Sequence, residues 1–322
     1  MNNFKCNLCE KSRSKTILEF LPKDYHGQVL QKHTLEKCLS CGLIQLEPKP
    51  SQEENTVFYG PNYYTQNQQT EYAQKMLYRT NKEKVLYLLR RNPFQLISKF
   101  IKRILSERTR FLKNGSRLLD VGCGNGVFLL NLARATKKRN YSMELSGVDI
   151  FPPDNKALEN HGIRLFGGGF TVNKFPPGYF DFIVAHHSIE HFDNPADIFN
   201  ELYKITKKGG LLALEVPNIA SFSYAVFKKY WSGIATIGHV FYFSPKTLKD
   251  YVRRAGFKII KIRFTEDPET FLFSLLRKLK IKESKVEIIA RNPILNIIFW
   301  PGVELLNLFK IGDSIEIILT KE

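Results

Sequence analysis

The stretch Arg117-Leu-Leu-Asp-Val-Gly-Cys-Gly-Asn-Gly126 constrains this chain more than any other. Arg117 to Val121 is an apolar run that predicts a short buried strand. Gly122, Gly124 and Gly126 then predict a tight turn, and Val127 to about Ala135 reads as a helix. A strand that enters a glycine turn and a helix builds a nucleotide-type site at the carboxyl end of a parallel strand. Glycines let the backbone approach a ligand, and the helix N-terminus offers free N–H groups. Asp120 ends the strand just before the turn. A carboxylate there would repel a pyrophosphate and suits a cationic or hydroxyl-rich ligand. A second strand, Ser146-Gly-Val-Asp-Ile150, also ends in an acid, Asp149, placed 23 residues beyond Gly126. An acid at that position accepts hydrogen bonds from the ribose hydroxyls of an adenosine.

The cysteines set the second constraint. Four of the five form two pairs, Cys6-x-x-Cys9 and Cys38-x-x-Cys41, while Cys123 sits inside the glycine turn as a small packing residue. Paired C-x-x-C units suit four thiolates around a structural zinc ion, with four unligated thiols as the alternative. Residues 1–50 therefore read as a zinc ribbon, with short strands expected at Thr16–Leu21 and Gln28–Leu30. A site closed by four thiolates has no open position, so no catalytic role is expected of it.

Composition matters at two points. The chain has 322 residues, enough for one large domain and an accessory one, and no run of about 18 apolar residues that would span a membrane. Its first residues lack the apolar core of a signal peptide, so a cytoplasmic location is expected. The net charge of +17 implies phosphate on nucleic acid, on an activated substrate or at a membrane surface, or else lysine-rich solvated faces. Between Lys84 and Arg117, ten residues are basic and one, Glu107, is acidic. Within it, residues 97–112 have the pattern of a basic amphipathic helix.

The motif Leu118-Leu-Asp-Val-Gly-Cys-Gly-Asn-Gly126 resembles motif I of the class I S-adenosylmethionine-dependent methyltransferases. The resemblance implies an α/β, Rossmann-like sheet of seven strands with the last antiparallel. It implies S-adenosylmethionine at Asp120, Gly122, Gly124, Asp149 and Ile150, with His187 lining the pocket. The family usually places an Asp after its third strand to contact adenine; here Gly167-Gly168-Gly169 stands instead. His186-His-Ser-Ile-Glu-His191 resembles the family's segment after the fourth strand, which puts Glu190 and His191 near the transfer site or bracing it. A backbone-bonded histidine at a helix start is the plainer account of His191.

The ribbon, the Pro48-Lys-Pro50 step and the Tyr63-Tyr64 pair, in this order, resemble bacterial nucleotide-sugar and surface-polysaccharide methyltransferases. That implies a sugar or lipid-linked glycan acceptor and a substrate-orienting role for Tyr63 or Tyr64, which otherwise packs the ribbon on the main domain. In that subgroup a histidine equivalent to His239 is active. In the C-methylating members a Glu precedes it, whereas here the neighbour is Gly238. An unassisted imidazole suffices for a hydroxyl, which tilts the expectation toward O-methylation. The expected candidates for the chemistry are His239, His191, Glu190 and Tyr64. The organisation expected is a ribbon at 1–50, a tyrosine-rich and basic segment at 51–115, and a methyltransferase domain at 116–322. Aromatic residues in 220–238 suit a substrate lid. An apolar insertion at 269–310 suits a cover for the domain before all else, or a dimer surface or a membrane-facing hairpin. An RNA methyltransferase and a non-catalytic cofactor-binding scaffold are the rival readings. The ribbon shows no run of mixed basic and aromatic residues, so nucleic acid is not the expected partner.

Overall fold

The protein is described by a computed structural model that covers residues 4–20, 31–51, 54, 114–138, 140–153, 156–234 and 238–322. Tyr63, Tyr64, the basic segment 97–112 and the strand expected at Gln28–Leu30 lie outside these residues.

At the N-terminus, β1 (Ser14–Phe20), β2 (His33–Cys38) and β3 (Ile44–Glu47) form an antiparallel meander. The main sheet begins with β4 (Ser116–Val121), followed by α1 (Val127–Lys138), β5 (Met143–Val148), α2 (Lys156–Glu159), β6 (Arg164–Phe166) and β7 (Phe180–His186). A 3-10 turn at Ile189–His191 precedes α3 (Pro195–Ile205) and β8 (Thr206–Pro217). Next come α4 (Phe222–Phe227), β9 (Phe241–Tyr242), α5 (Pro245–Arg254) and β10 (Lys258–Thr265). Three helices, α6 (Pro268–Lys278), α7 (Glu283–Ala290) and α8 (Pro293–Leu308), separate β10 from the last strand, β11 (Ser314–Thr320).

The seven-stranded order is β10-β11-β8-β7-β4-β5-β6. Strands β4 to β8 run parallel, and β11 lies antiparallel between β8 and β10. These strands are almost continuously apolar because helices cover both faces. The strand order reverses at β4, whose neighbours are β5 and β7. A crevice opens at the carboxyl ends of strands at such a reversal. The glycine turn after β4 and the histidine segment after β7 both meet there.

β8 begins at Thr206 and carries Lys208-Gly209-Gly210 within it. Gly209 takes φ +75 and donates to the Lys321 carbonyl, and the glycines lie in a bulge against β7, where the register shifts between Phe180 and Phe182. Part of the aromatic segment expected to suit a lid belongs to the core. Phe227 and Trp231 are buried, and the Trp231 indole donates to Asp313.

The ribbon is joined to the main domain by a strand. β9 pairs antiparallel with β3, matching Ile44 to Tyr242 and Gln45 to Phe241. Phe4, Leu35 and Leu46 share one apolar core with Val216, Phe241 and Leu248. Polar contacts reinforce the seam. Tyr251 donates to the Asn7 side chain at 2.7 Å, and Asn7 donates to Asn194 at 2.8 Å.

Candidate active site and thiolate cluster

The glycine turn is built by close approach. Gly122 has φ +76, and a Cβ there would lie 2.6 Å from the Cβ of Ser188, so the turn and the histidine segment touch. Gly124 has φ +51 and nothing within 4 Å of its Cβ position. The turn therefore opens on space where a ligand fits against backbone. Cys123 is buried against Gly147, the packing role its size suggested.

Two carboxylates flank the turn. Asp149 accepts from the Gly124 N–H at 2.9 Å and the Phe151 N–H at 3.1 Å, one bond to each oxygen. Each oxygen keeps a further lone pair for a hydroxyl donor. Asp120 is buried, and burial first, then the charge of Asp149, raises its carboxyl to about 8. A buried acid poised this way fits a cationic ligand, which would complete the pair and draw off the proton. Its folded value lies above its unfolded one. The stability it lends is therefore full below about 3.8 and is lost as pH rises through about 8.

The triple glycine folds back on this corner. Gly168 donates to the Ile150 carbonyl, Gly169 to that of Asp149, and Asn173 donates to the carbonyls of Gly167 and Gly169, both at 2.7 Å. Ile150 is 53% exposed at the rim. Backbone groups and Asn173 thus occupy the corner where the family usually places an Asp.

Next to the turn lies a linked set of carboxylates and imidazoles. Glu190, fully buried in the 3-10 turn, accepts from His187 Nδ1 at 3.2 Å and faces His239 Nε2 at 3.9 Å. Glu215, near the end of β8, contacts His186 at 2.8 Å and His187 at 3.6 Å. His187 holds φ +47 to place its ring between the two acids. Burial alone would lower His187; the bonds and charges of Glu190 and Glu215 outweigh it and hold the ring protonated well above its ordinary range. Burial would raise Glu190, but the His187 bond and the charges of His191, His187 and His239 bring it to about 2. Glu190 Oε2 is buried without a hydrogen-bond partner among the described residues, so one oxygen remains open to a further donor.

His239 faces this set from the segment before β9. Its Nδ1 lies 3.0 Å from the Gly233 carbonyl. A carbonyl only accepts, so Nδ1 carries the hydrogen and Nε2 the lone pair. Burial first, then the charges of His191 and His187 against that of Glu190, lowers the ring to about 3. His191 stacks edge-on against it, centroids 4.7 Å apart, with its own Nδ1 2.5 Å from the Gly238 carbonyl. The expectation of an unassisted His239 is corrected here. Its sequence neighbour is Gly238, but Glu190 supplies a carboxylate across space.

The structure thus gathers Asp120, Gly122, Gly124, Asp149, His187, Glu190, His191 and His239 around one crevice. Glu215 and Asn173 escaped sequence reasoning. The one available signal for Glu215 was its charge within the apolar run Leu211-Leu-Ala-Leu-Glu-Val216. Asn173 lies in a loop and left none.

In the N-terminal sheet, the four paired cysteines converge. Cys6 Sγ lies 3.4 Å from Cys41 Sγ, Cys9 Sγ lies 3.6 Å from Cys38 Sγ, and all four sulfurs fall within 4.8 Å of one another. Sulfurs at tetrahedral positions about 2.3 Å from a zinc ion stand at comparable separations. The cage could therefore hold such an ion.

A methyltransferase-domain profile matches residues 89–262, more than half of the chain. Curated relatives include a protein of Azoarcus named ubiquinone biosynthesis O-methyltransferase, 25% identical over 180 residues, covering 51% of this chain and 73% of the relative. A protein of the same name from Xanthomonas euvesicatoria is 26% identical over 193 residues, covering 56% and 76%. Among solved structures, a SAM-dependent methyltransferase from Archaeoglobus fulgidus matches 74% of this chain and 99% of its own, at 23% identity and a TM-score of 0.44.

Proposed function

The chain belongs to the methyltransferase-domain family whose profile it matches, and from that premise we propose that it methylates a hydroxyl of a small acceptor with His239 as the proton acceptor. S-adenosylmethionine is the methyl donor of this enzyme class and supplies a methyl group already activated on a sulfonium. What remains for the chain is to bind, align the acceptor and take a proton.

The observation that carries this reading is the His239 tautomer. With Nδ1–H given to Gly233, Nε2 offers a lone pair toward the crevice, and the ring is neutral at neutral pH. The acceptor's hydroxyl proton passes to Nε2. Glu190, 3.9 Å away, offsets the imidazolium that forms, and the proton then leaves to water. His191 braces the ring through its contact and its bond to Gly238. Tyr64 keeps the substrate-orienting role that the resemblance assigns to it.

For the cofactor we assign the ribose hydroxyls to Asp149, the cationic end to Asp120, the backbone approach to Gly122 and Gly124, and the pocket rim to Ile150 and His187. One consequence separates binding from stability. Asp120→Asn is expected to weaken S-adenosylmethionine binding on the order of 100-fold, as loss of a buried ion's partner does. The same change should raise the melting temperature of the cofactor-free chain above pH 8, because it removes a carboxyl that ionises at a cost. Calorimetry and thermal melts at pH 6 and 9 check both arms, and unchanged cofactor affinity would remove Asp120 from the site.

Two acceptor classes fit. The N-terminal motif order resembles surface-polysaccharide enzymes and favours a sugar or lipid-linked glycan hydroxyl. With Glu190 beside His239, the preference for a hydroxyl no longer rests on an unassisted imidazole. It rests on the names of the curated relatives, which favour a hydroxyl of a ubiquinone precursor. The test is methyl transfer from carbon-labelled S-adenosylmethionine to nucleotide sugars, lipid-linked sugars and ubiquinone precursors, read by NMR of the product. An O-methyl signal supports the proposal, and a C-methyl product overturns it. We further assign a structural zinc ion to Cys6, Cys9, Cys38 and Cys41.

A further inference from the structure

Helix α8 is apolar on both faces. Its inner face buries Val303 and packs Leu295 and Phe299 against α6 and α7, and its two inward amides are satisfied there: buried Asn296 donates to the carbonyls of Ala290 and Asn292, and Asn307 bonds both the N–H and the carbonyl of Glu266. Its outer face carries Ile294, Ile297, Ile298, Leu305 and Leu308, each between 54% and 73% exposed. These positions lie three, four or seven apart, with Pro301 completing the row, so they form one stripe about 21 Å long. A helix that only covered a domain would leave its outer face polar. The segment 269–310 packs on the domain through its inner face, and the outer stripe is left over from that role.

The apolar surface continues past the helix end. Phe309 is 68% exposed, and Ile311 accepts from the Phe222 N–H at 2.9 Å, which brings α4 alongside with Phe222 and Val226 exposed. Cations edge this end. Lys278 donates to the Val226 carbonyl at 2.8 Å, and exposed Lys228, Lys229, Lys280 and Lys310 lie on the neighbouring turns. No acid occurs between Phe222 and Tyr230, or between Arg277 and Lys282. Glu283 and Glu287 are engaged by Arg277 and Arg291.

We propose that this face docks on an anionic lipid bilayer, α8 lying flat in the headgroup region. An apolar stripe edged by lysines is complementary to acyl chains beneath phosphates. Trp300, 41% exposed beside the stripe, has the amphipathic ring suited to that depth. No helix among the described residues is long and apolar enough to cross a membrane, which agrees with lying on the surface. A second copy of the chain fits less well, because it would press these lysines against their own counterparts on a chain of net charge +17. The face also adjoins the site. Ser274 of α6 accepts from the Ser232 N–H at 2.9 Å, next to Gly233, which holds His239. Docking would turn that edge of the crevice toward the bilayer, whichever acceptor is used.

The test uses the full chain with vesicles of phosphatidylcholine alone or with about 30 per cent phosphatidylglycerol. Co-sedimentation should be at least about tenfold tighter on the anionic vesicles and should weaken in about 0.5 M salt. Trp300 emission should shift to the blue on binding, and Trp300→Phe should remove the shift, since the other tryptophan, Trp231, is buried. The exposed double substitution Ile297→Asn, Ile298→Asn should cut binding at least about tenfold, with melting temperature and S-adenosylmethionine affinity unchanged. Lys280→Glu with Lys310→Glu should act in the same direction. Absence of binding to either vesicle, or binding indifferent to both variants, overturns the proposal. So does a stable dimer in light scattering that the isoleucine variant dissolves, which would make the face a subunit interface.

Discussion

His239→Gln is expected to lower kcat by about 10²–10³-fold, the usual contribution of a positioned general base, while S-adenosylmethionine affinity changes by less than about twofold. The glutamine can still donate to Gly233 but has no basic atom to present to the acceptor. Glu190→Gln should lose a smaller factor, because the imidazole remains and only the stabilisation of its charged form is reduced. The pH profile adds a check on the protonation state of the base. His239 is lowered to about 3 by burial and by its histidine neighbours, so it is already neutral throughout the neutral range. Wild-type turnover should therefore show no acid limb near 6.5. The linked stability has a definite sign. A histidine whose folded value lies below its unfolded 6.5 stabilises the chain fully above 6.5 and loses that contribution as pH falls toward 3. The glutamine variant should lose less stability over that window. Near-wild-type turnover in His239→Gln would sink the assignment, and the hydroxyl proton would then need another acceptor.

Removing the thiolate cage is expected to have the larger structural effect. A structural four-thiolate zinc site contributes about 10–16 kcal/mol in small zinc-dependent folds, comparable with the whole stability of an ordinary domain, about 5–15 kcal/mol. Chelation under reducing conditions, or Cys38→Ser, should therefore unfold the β1–β3 sheet. The damage should not stop there. β3 pairs with β9, the Leu46 N–H donates to the Val240 carbonyl, and the Val240 N–H donates to the Glu190 carbonyl. His239 precedes this segment directly. Loss of β3 should release it, and turnover should fall on the order of 100-fold or more. Cofactor binding, built on β4 and β5, should fall far less. Metal analysis of the purified chain, paired with calorimetry and turnover before and after chelation, checks each step. Full activity in a chain stripped of metal would show that the cage is not needed to seat the base.

The chain of contacts from cysteine to histidine explains which parts of this protein were legible in its residues. The cofactor half was legible because its signals are local. A strand, three glycines and a helix follow one another within about twenty residues, and the turn forces its own backbone geometry at Gly122 and Gly124. The seven-stranded sheet and its antiparallel last strand were legible through the family resemblance that this local motif carries. The cysteine pairs were legible for the same local reason, since each C-x-x-C already holds two sulfurs close together.

The proposed catalytic constellation was legible only as a set of residue types. His239 and Glu190 are 49 positions apart, and no spacing rule connects them. Their approach depends on β9 being drawn against β3, a contact between the chain's N-terminal sheet and a two-residue strand late in the sequence. Glu215 looked like one charge in an apolar strand until the sheet placed it beside His186 and His187. The orientation of α8 was equally hidden. Its composition announced an apolar helix, but only the inward packing of Leu295, Phe299 and Val303 and the bonds of Asn296 and Asn307 decide that the isoleucines face out. The sequence by itself thus determined the sheet, the glycine turn with its two acids, and the pairing of the cysteines, because neighbours along the chain make those features. The tertiary structure alone decided which carboxylate serves His239, how firmly the ribbon holds it, and which face of α8 meets the surroundings. Those are contacts between residues far apart in the chain, and packing of the whole core selects them.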